Sequence, residues 1–243
     1  MKFSEYTIKS TKEVLDVFKT SDNGLSEKEA ADRLGVYGFN EIKTKEAGLF
    51  GIFLRQFKTS FVYLLFIAAI TAFFIGEKID GTVILSFVFI NVTLGFFQEG
   101  RAYKAVFLLK QYIPSKTRVL RGGIEKIIDK QFLIPGDIVL LEQGNIAPAD
   151  LRILKAENFL VGEEILTGES VPVSKISTVL GKEAKEIFEA KNIVFAGTSV
   201  ISGEAKGVVI GTAKETALGE VTKLVSGISR ESLYEKSLLN FSK

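Results

Sequence analysis

Between residues 10 and 40, apolar positions recur at helical spacing. In STKEVLDVFKT, Val14, Leu15, Val17 and Phe18 form one stripe behind a Ser10/Thr11 cap, which predicts a short helix. LSEKEAADRLG predicts a second helix, with Ser26 and Glu29 at capping-box spacing and Gly35 placed to stop it. The pair reads as a small amphipathic helical hairpin that packs on something else. Polar positions then disappear. Ser60–Gly76 runs 17 residues without a charge, and Gly81–Gln98 runs 18. Each is just long enough to span a bilayer core with some tilt, and two adjacent runs of this purity are unusual for buried helices of a soluble protein. The connector Glu77-Lys78-Ile79-Asp80 leaves room only for a tight exit turn. RAYKAVFLLKQY prolongs the second run as an amphipathic helix to about Tyr112, and Pro114 ends it.

From residue 116 to 212 the period changes. Short runs rich in Val and Ile (TRVLRGG, EKIIDK, DIVLLEQG, ADLRILKAE, NIVFAGTSVISG, EAKGVVIGTA) are punctuated by Gly, Pro, Asn and Asp. They predict an all-β domain, a compact barrel or a jelly-roll-like sandwich. RGG at 121–123 and SGE at 202–204 are expected hairpin turns. GKEAKEIFEAKN reads as a charged, weakly helical excursion between strands. Near Thr216 the pattern turns helical again, and LYEKSLLNFSK closes the chain as an amphipathic lead-in.

Composition narrows the function. Hydrophobic residues make up 47% of the 243, and the mean hydropathy of +0.25 is high for a purely soluble protein. With 31 basic and 29 acidic residues the net charge is +2, so nothing points to nucleic acid. There is no cysteine and no histidine. That removes disulfides, zinc, copper and haem sites, a Ser-His-Asp triad and a cysteine nucleophile. Acid–base work is left to Glu, Asp, Lys or Tyr. Charge also orients the two spans. Lys43, Lys45, Arg55 and Lys58 precede the first, and Arg101, Lys104 and Lys110 follow the second. The positive-inside rule then places both termini in the cytoplasm. Asn91 and Thr93 read as helix–helix contacts, and no acid lies inside either span to mark an ion pathway.

The stretch EEILTGESVPVS, residues 163–174, is the candidate chemistry. By itself Thr167-Gly168-Glu169-Ser170 reads either as a strand-to-strand turn with a solvated glutamate or as the tip of a loop that acts on something. So short a motif does not separate the two.

Four segments in order carry a resemblance: GLSEKEAADRLGVYGFNEI, PGDIVLLEQGNIAPADLRIL (135–154), ILTGESVPVSK (165–175) and FAGTSVISGEAKGVVIGTAKETALGEVTKLV (195–225). Spaced around two apolar runs, they resemble the N-terminal part of a P-type cation-transporting ATPase, closest to the calcium-pump-like hard-cation branch. The resemblance implies a multi-part membrane protein. Residues 1–45 would be the cytoplasmic N-terminal domain, 46–112 a transmembrane hairpin, 113–215 the actuator domain (a distorted jelly roll) and 216–243 a helical linker toward a third span. It implies that Glu169 positions and polarises the water that hydrolyses an aspartyl-phosphate. Gly168 would allow close approach, Thr167 and Ser170 would hold the loop and contact the phosphorylated domain, and Pro172 would stiffen its exit. PGD (Pro135, Gly136, Asp137) and PAD (Pro148, Asp150) are expected to be structural turns, with both aspartates satisfying loop backbone groups. Mg2+ and ATP are implied on domains this sequence lacks, because it holds no Asp-Lys-Thr-Gly-Thr segment and no nucleotide-binding domain. The expected partners are the lipid bilayer, the phosphorylation and nucleotide-binding domains and a transported cation. The chain alone is expected neither to hydrolyse ATP nor to move ions. It reads as a fragment: a truncated reading frame, a split pump or an incomplete record. The alternative is a non-enzymatic, membrane-anchored β domain that binds or regulates a partner.

Overall fold

The computed structural model of the chain describes residues 3–41, 48–111 and 116–226. The flanking Lys43 and Lys45, the stop at Pro114 and the linker beyond Ser226 lie outside them. The chain divides into two compact units, 1–42 together with 115–243, and 43–114.

In the first unit, three helices precede the strands: α1 (Ser4–Thr7), α2 (Thr11–Val17) and α3 (Glu27–Tyr37). Capping boxes start both longer helices. Ser10 accepts from the Glu13 amide, Ser26 accepts from the Glu29 amide, and each glutamate reaches back to its cap. Gly35 does not stop α3. The helix continues to Tyr37 and ends at Gly38, whose φ of 75° is the one the chain reversal needs.

The second unit holds α4 (Leu49–Gln56), α5 (Ser60–Ile75) and α6 (Lys78–Gln111). Gly76 caps α5 in the left-handed region, and α6 begins at Lys78, so the exit turn is shorter than the expected 77–80 connector. Val62 packs with Val88 and Val92, and Gly81 lies against Phe73, so α5 and α6 run antiparallel. Most of their remaining apolar side chains face outward, Phe74 at 88% exposure and Phe89 at 72%. By length and composition Lys78–Ala105 is sufficient to cross a membrane. The 16 residues of α5 rise only about 24 Å at ~1.5 Å each, short of a ~30 Å core. They reach spanning length only together with α4, from which they bend by 57°. Among the described residues, one helix is therefore long and apolar enough by itself to cross a membrane.

The strands are β1 (Lys116–Arg121), β2 (Ile124–Asp129), β3 (Ile138–Glu142) and β4 (Asp150–Gly162). A one-turn helix, α7 (Glu164–Thr167), precedes β5 (Val173–Ser174), β6 (Ile193–Val194) and β7 (Ser199–Gly211), and α8 (Ala217–Ser226) follows. They form one antiparallel sheet in the order β2-β1-β3-β7-β4-β5, with β6 also paired to β4. Arg121 pairs with Ile124 across Gly122 and Gly123, both at positive φ, which is the two-residue hairpin turn expected of RGG. SGE is not a turn. β7 runs straight through it, and Gly203 sits in a bulge against β4, where Asn158 also adopts a positive φ. A Cβ at Gly203 would stand 2.3 Å from the carbonyls of Glu157 and Asn158. Gly203→Ala is therefore expected to cost about 2–3 kcal/mol through strain and clash. Thermal unfolding of the two proteins checks this, and an alanine variant that melts with the parent would refute it.

Period-2 alternation sorts the sheet into two faces. Val119, Val139, Leu141, Leu151, Ile153, Val161, Val200 and Val209 share the principal core. Their neighbours Leu120, Ile138, Val208 and Ile210 turn the other way and take Val14 and Leu15 of α2. The predicted helical pair thus packs on the sheet itself. The longer excursion at 181–192 carries one 3-10 turn, Ile187–Glu189, and joins Phe3 of the N-terminal segment in a third cluster around Phe195.

Candidate functional site

The loop that carries Glu169 leaves the sheet at the end of β4 and returns at β5, where Val161 pairs with Val173 and Leu160 with Ser174. Glu163 caps α7 from its N-terminal side. Its carbonyl accepts from the amides of Leu166 and Thr167 and from Thr167 Oγ1, each at 3.0 Å. Thr167 Oγ1 in turn accepts from the Glu169 amide at 3.2 Å. Gly168 ends α7 at φ 77°. A side chain there would meet nothing within 4 Å, so this position calls for glycine through its backbone angle. Residues 168–172 are exposed, and Val171 stands 73% exposed beside the carboxylate-bearing apex. Among the described residues no hydrogen bond or ion pair engages the Glu169 carboxylate, and no three acidic side chains converge as metal ligands. A lone exposed carboxylate does not fit a Mg2+ or ATP site.

Beneath the apex lies a feature the sequence reading missed. Lys175 Nζ stands 2.6 Å from Glu163 Oε1, and both side chains are buried, at 0% and 1% exposure. Lys175 Nζ also donates to the Ala190 carbonyl at 3.1 Å and lies 5.4 Å from the centre of the Phe195 ring. Burial pushes the Glu163 carboxyl up and the Lys175 ammonium down, and each partner's charge opposes that shift. A signal was present: Phe159 and Val161 fall on one face of β4 at period 2, Glu163 follows at the same spacing just past the strand, and all three are buried. Nothing nearer in the sequence marks Lys175 as the partner of Glu163.

The other motif residues go elsewhere. Asp137 receives the Arg121 guanidinium on both oxygens, at 2.9 and 2.7 Å, and its Oδ2 accepts from the Ile134 amide. The Pro135 carbonyl accepts from Arg33, and a Cβ on Gly136 would stand 2.5 Å from that guanidinium. The Pro148 carbonyl accepts from Asn40. Asp150 accepts from the amides of Ala196 and Ala217, each at 2.8 Å, and so pins the start of α8 to the sheet. Arg152 is fully buried and meets carbonyls only, those of Tyr6, Lys9, Ile153 and Ser177. Burial lowers it to about 10.

Asp150 gives a pH prediction. Burial raises its carboxyl to about 7, against the two amide donations and with Glu220 adding to the rise. A folded value above the ordinary 3.8 means that the folded state binds the proton more tightly than the unfolded chain. The contribution is fully present below the unfolded value and is lost as pH rises through the folded one. Asp150→Asn is therefore expected to remove a gain in stability between about pH 7.5 and 5.5. Melting curves of the full chain in detergent, parent against variant across that window, read the difference; parallel curves would count against it.

Residues 111–226 match the family model described as the P-type ATPase actuator domain. Residues 6–72 match that described as cation transporter/ATPase, N-terminus. The chain is 38% identical over 204 residues to "Probable cation-transporting ATPase F" of Mycobacterium tuberculosis, covering 84% of this chain and 22% of that protein. It is 37% identical over 227 residues to the calcium-transporting ATPase of Bacillus subtilis, covering 93% and 25%. With calcium-transporting ATPase 1 of Lactococcus lactis it shares 34% over 236 residues, covering 96% and 27%. The chain thus spans about a quarter of the length of these curated relatives.

Proposed function

Since this chain carries the actuator and cation-ATPase N-terminal domains, and so belongs to the P-type ATPases, we propose that it forms the dephosphorylating arm of an ATP-driven cation pump. The observation that carries this reading is the Glu169 carboxylate, free of contacts at the apex of a loop whose two ends are tied into the sheet. The reaction it serves is hydrolysis of an aspartyl-phosphate held on another domain. Water attacks phosphorus, the bond from phosphorus to the aspartyl oxygen breaks, and Glu169 takes the water's proton as general base. Gly168 and the exposed 168–172 segment leave room for the phosphorylated partner. Thr167 holds the Glu169 backbone, and Ser170 faces the partner. Pro135, Gly136, Asp137, Pro148 and Asp150 set the frame. ATP and Mg2+ act on the partner domains, and no step of theirs passes through these residues.

In the same reading α5 and α6 form a transmembrane hairpin with both ends in the cytoplasm, and the residues flanking α5 make up its short length. Their outward apolar surface supports this, because such a surface calls for an apolar medium, as does the placement of Arg55 and Lys58 before α5. The β-rich unit corresponds to the distorted jelly roll of an actuator, and α8 opens the linker. The cation is a hard one, with calcium first to be tried, since it is named for two relatives. The test is phosphoenzyme turnover in the pump that carries this chain. Glu169→Gln should let the phosphoenzyme form and then accumulate; normal decay would refute the assignment.

A further inference from the structure

The exposed loop needs something to hold its apex still, and the hydrogen bonds within α7 do not reach the sheet. Two residues do. Glu163 is the origin of the relay that runs from its carbonyl through Thr167 Oγ1 to the Glu169 amide. Lys175 is the first residue after β5, and three separate parts of the unit fix it. Its amide donates to the Phe159 carbonyl at 3.0 Å, its ammonium donates to the Ala190 carbonyl, and its charge lies over the Phe195 ring. We propose that Glu163 and Lys175 are positioning residues: their buried ion pair, at 2.6 Å, cross-links the two feet of the 164–174 loop and so fixes where the Glu169 carboxylate stands. This inference rests on the proposed role of Glu169.

Stability alone does not account for the pair. A buried ion pair loses so much hydration that two well-packed apolar side chains commonly serve the fold as well or better. What an apolar pair lacks is a fixed separation. A buried carboxylate and ammonium in contact resist being drawn apart, because each would be left as an unpaired buried charge, whereas packed methyl groups tolerate sliding. A slide of about 1 Å at the base of the loop is carried to its apex, and misplacement by that amount is worth on the order of a hundredfold in rate.

The test replaces both partners together, Glu163→Leu with Lys175→Met, which leaves no orphaned charge. In the pump that carries this chain, the phosphoenzyme is expected to form normally and to decay at least tenfold more slowly. Amide hydrogen exchange at residues 165–170 is expected to quicken tenfold or more with melting little changed. Normal decay together with unchanged exchange would overturn the proposal. Should the double variant fail to fold, Glu163→Asp keeps the charge and shortens the reach. Slowed decay with an intact fold then supports the tie, and normal decay removes it. Glu169→Gln is run alongside. If it accumulates phosphoenzyme while the double variant turns over normally, the tie is wrong and the role of Glu169 stands. If Glu169→Gln itself turns over normally, the functional reading fails, and loop exchange alone decides whether the pair holds the apex.

Discussion

Glu169→Gln is expected to slow hydrolysis of the aspartyl-phosphate by roughly 10²–10⁴-fold while leaving its formation intact. The amide matches the carboxylate in size and shape but takes no proton, so the loss falls on general-base activation of water. At about 1.4 kcal/mol per factor of ten, the step gains on the order of 3–5 kcal/mol of barrier. The change should leave the fold alone, because the Glu169 side chain is exposed and engages no described residue. Its effect on stability is expected within about 0.5 kcal/mol. Acid-quenched phosphoenzyme, followed through a chase, measures the decay. Glu169→Asp, shorter by one methylene, should fall between the two.

The second large effect falls on stability and lies one layer below. Glu163→Gln strands the Lys175 ammonium in a site with 0% exposure. To become neutral at pH 7 from its ordinary 10.5, the lysine gives up about 5 kcal/mol at about 1.4 per unit. The Ala190 carbonyl and the Phe195 ring remain to offset part of that, so a loss of about 3–5 kcal/mol is expected. Lys175→Met strands the carboxyl instead, which needs only about 3.5 kcal/mol to protonate at pH 7 from 4.5. The glutamine variant should therefore be the weaker of the two at neutral pH. The pH dependences then have opposite signs. A lysine depressed in the folded state loses stability as pH falls, so Glu163→Gln should recover as pH rises from 7 to 9, by up to about 3 kcal/mol. A raised glutamate loses stability as pH rises, so Lys175→Met should recover toward pH 5. Melting series on both variants measure this. Equal losses with no opposed slopes would show that the pair is hydrated in solution.

Local chemistry was legible in the sequence and long-range burial was not. The capping boxes at Ser10 and Ser26, the Gly122-Gly123 turn and the helical start near Thr216 each depend on neighbours within a few residues, and each is where the pattern placed it. Gly35 misled because a mid-helix glycine costs only about 1 kcal/mol, and the contacts of α3 outweigh that. Gly203 misled because a bulge and a turn both ask for positive φ, and only the 13-residue partner strand decides between them. The loop apex could be read from Thr167-Gly168-Glu169-Ser170, but its foundation could not. Glu163 and Lys175 are twelve positions apart in a polar stretch, and Phe195 and Ala190, which bury the pair, lie farther still. Arg152 hides for the same reason, since its acceptors at Tyr6 and Lys9 are more than 140 residues away.

Those contacts set the order in which the chain becomes a protein. Residues 3–41 leave the ribosome well before the sheet, yet Val14 and Leu15 rest on Ile138 and Val208, and the Thr7 carbonyl waits for Asn192. At about 5–20 residues per second, roughly 170 more residues take about 10–35 s to appear. Meanwhile α5 and α6 emerge with their apolar surfaces uncovered. A segment synthesised ahead of the sheet thus folds only after it, and for that interval α2 presents an unpaired apolar stripe to whatever shares the tunnel exit.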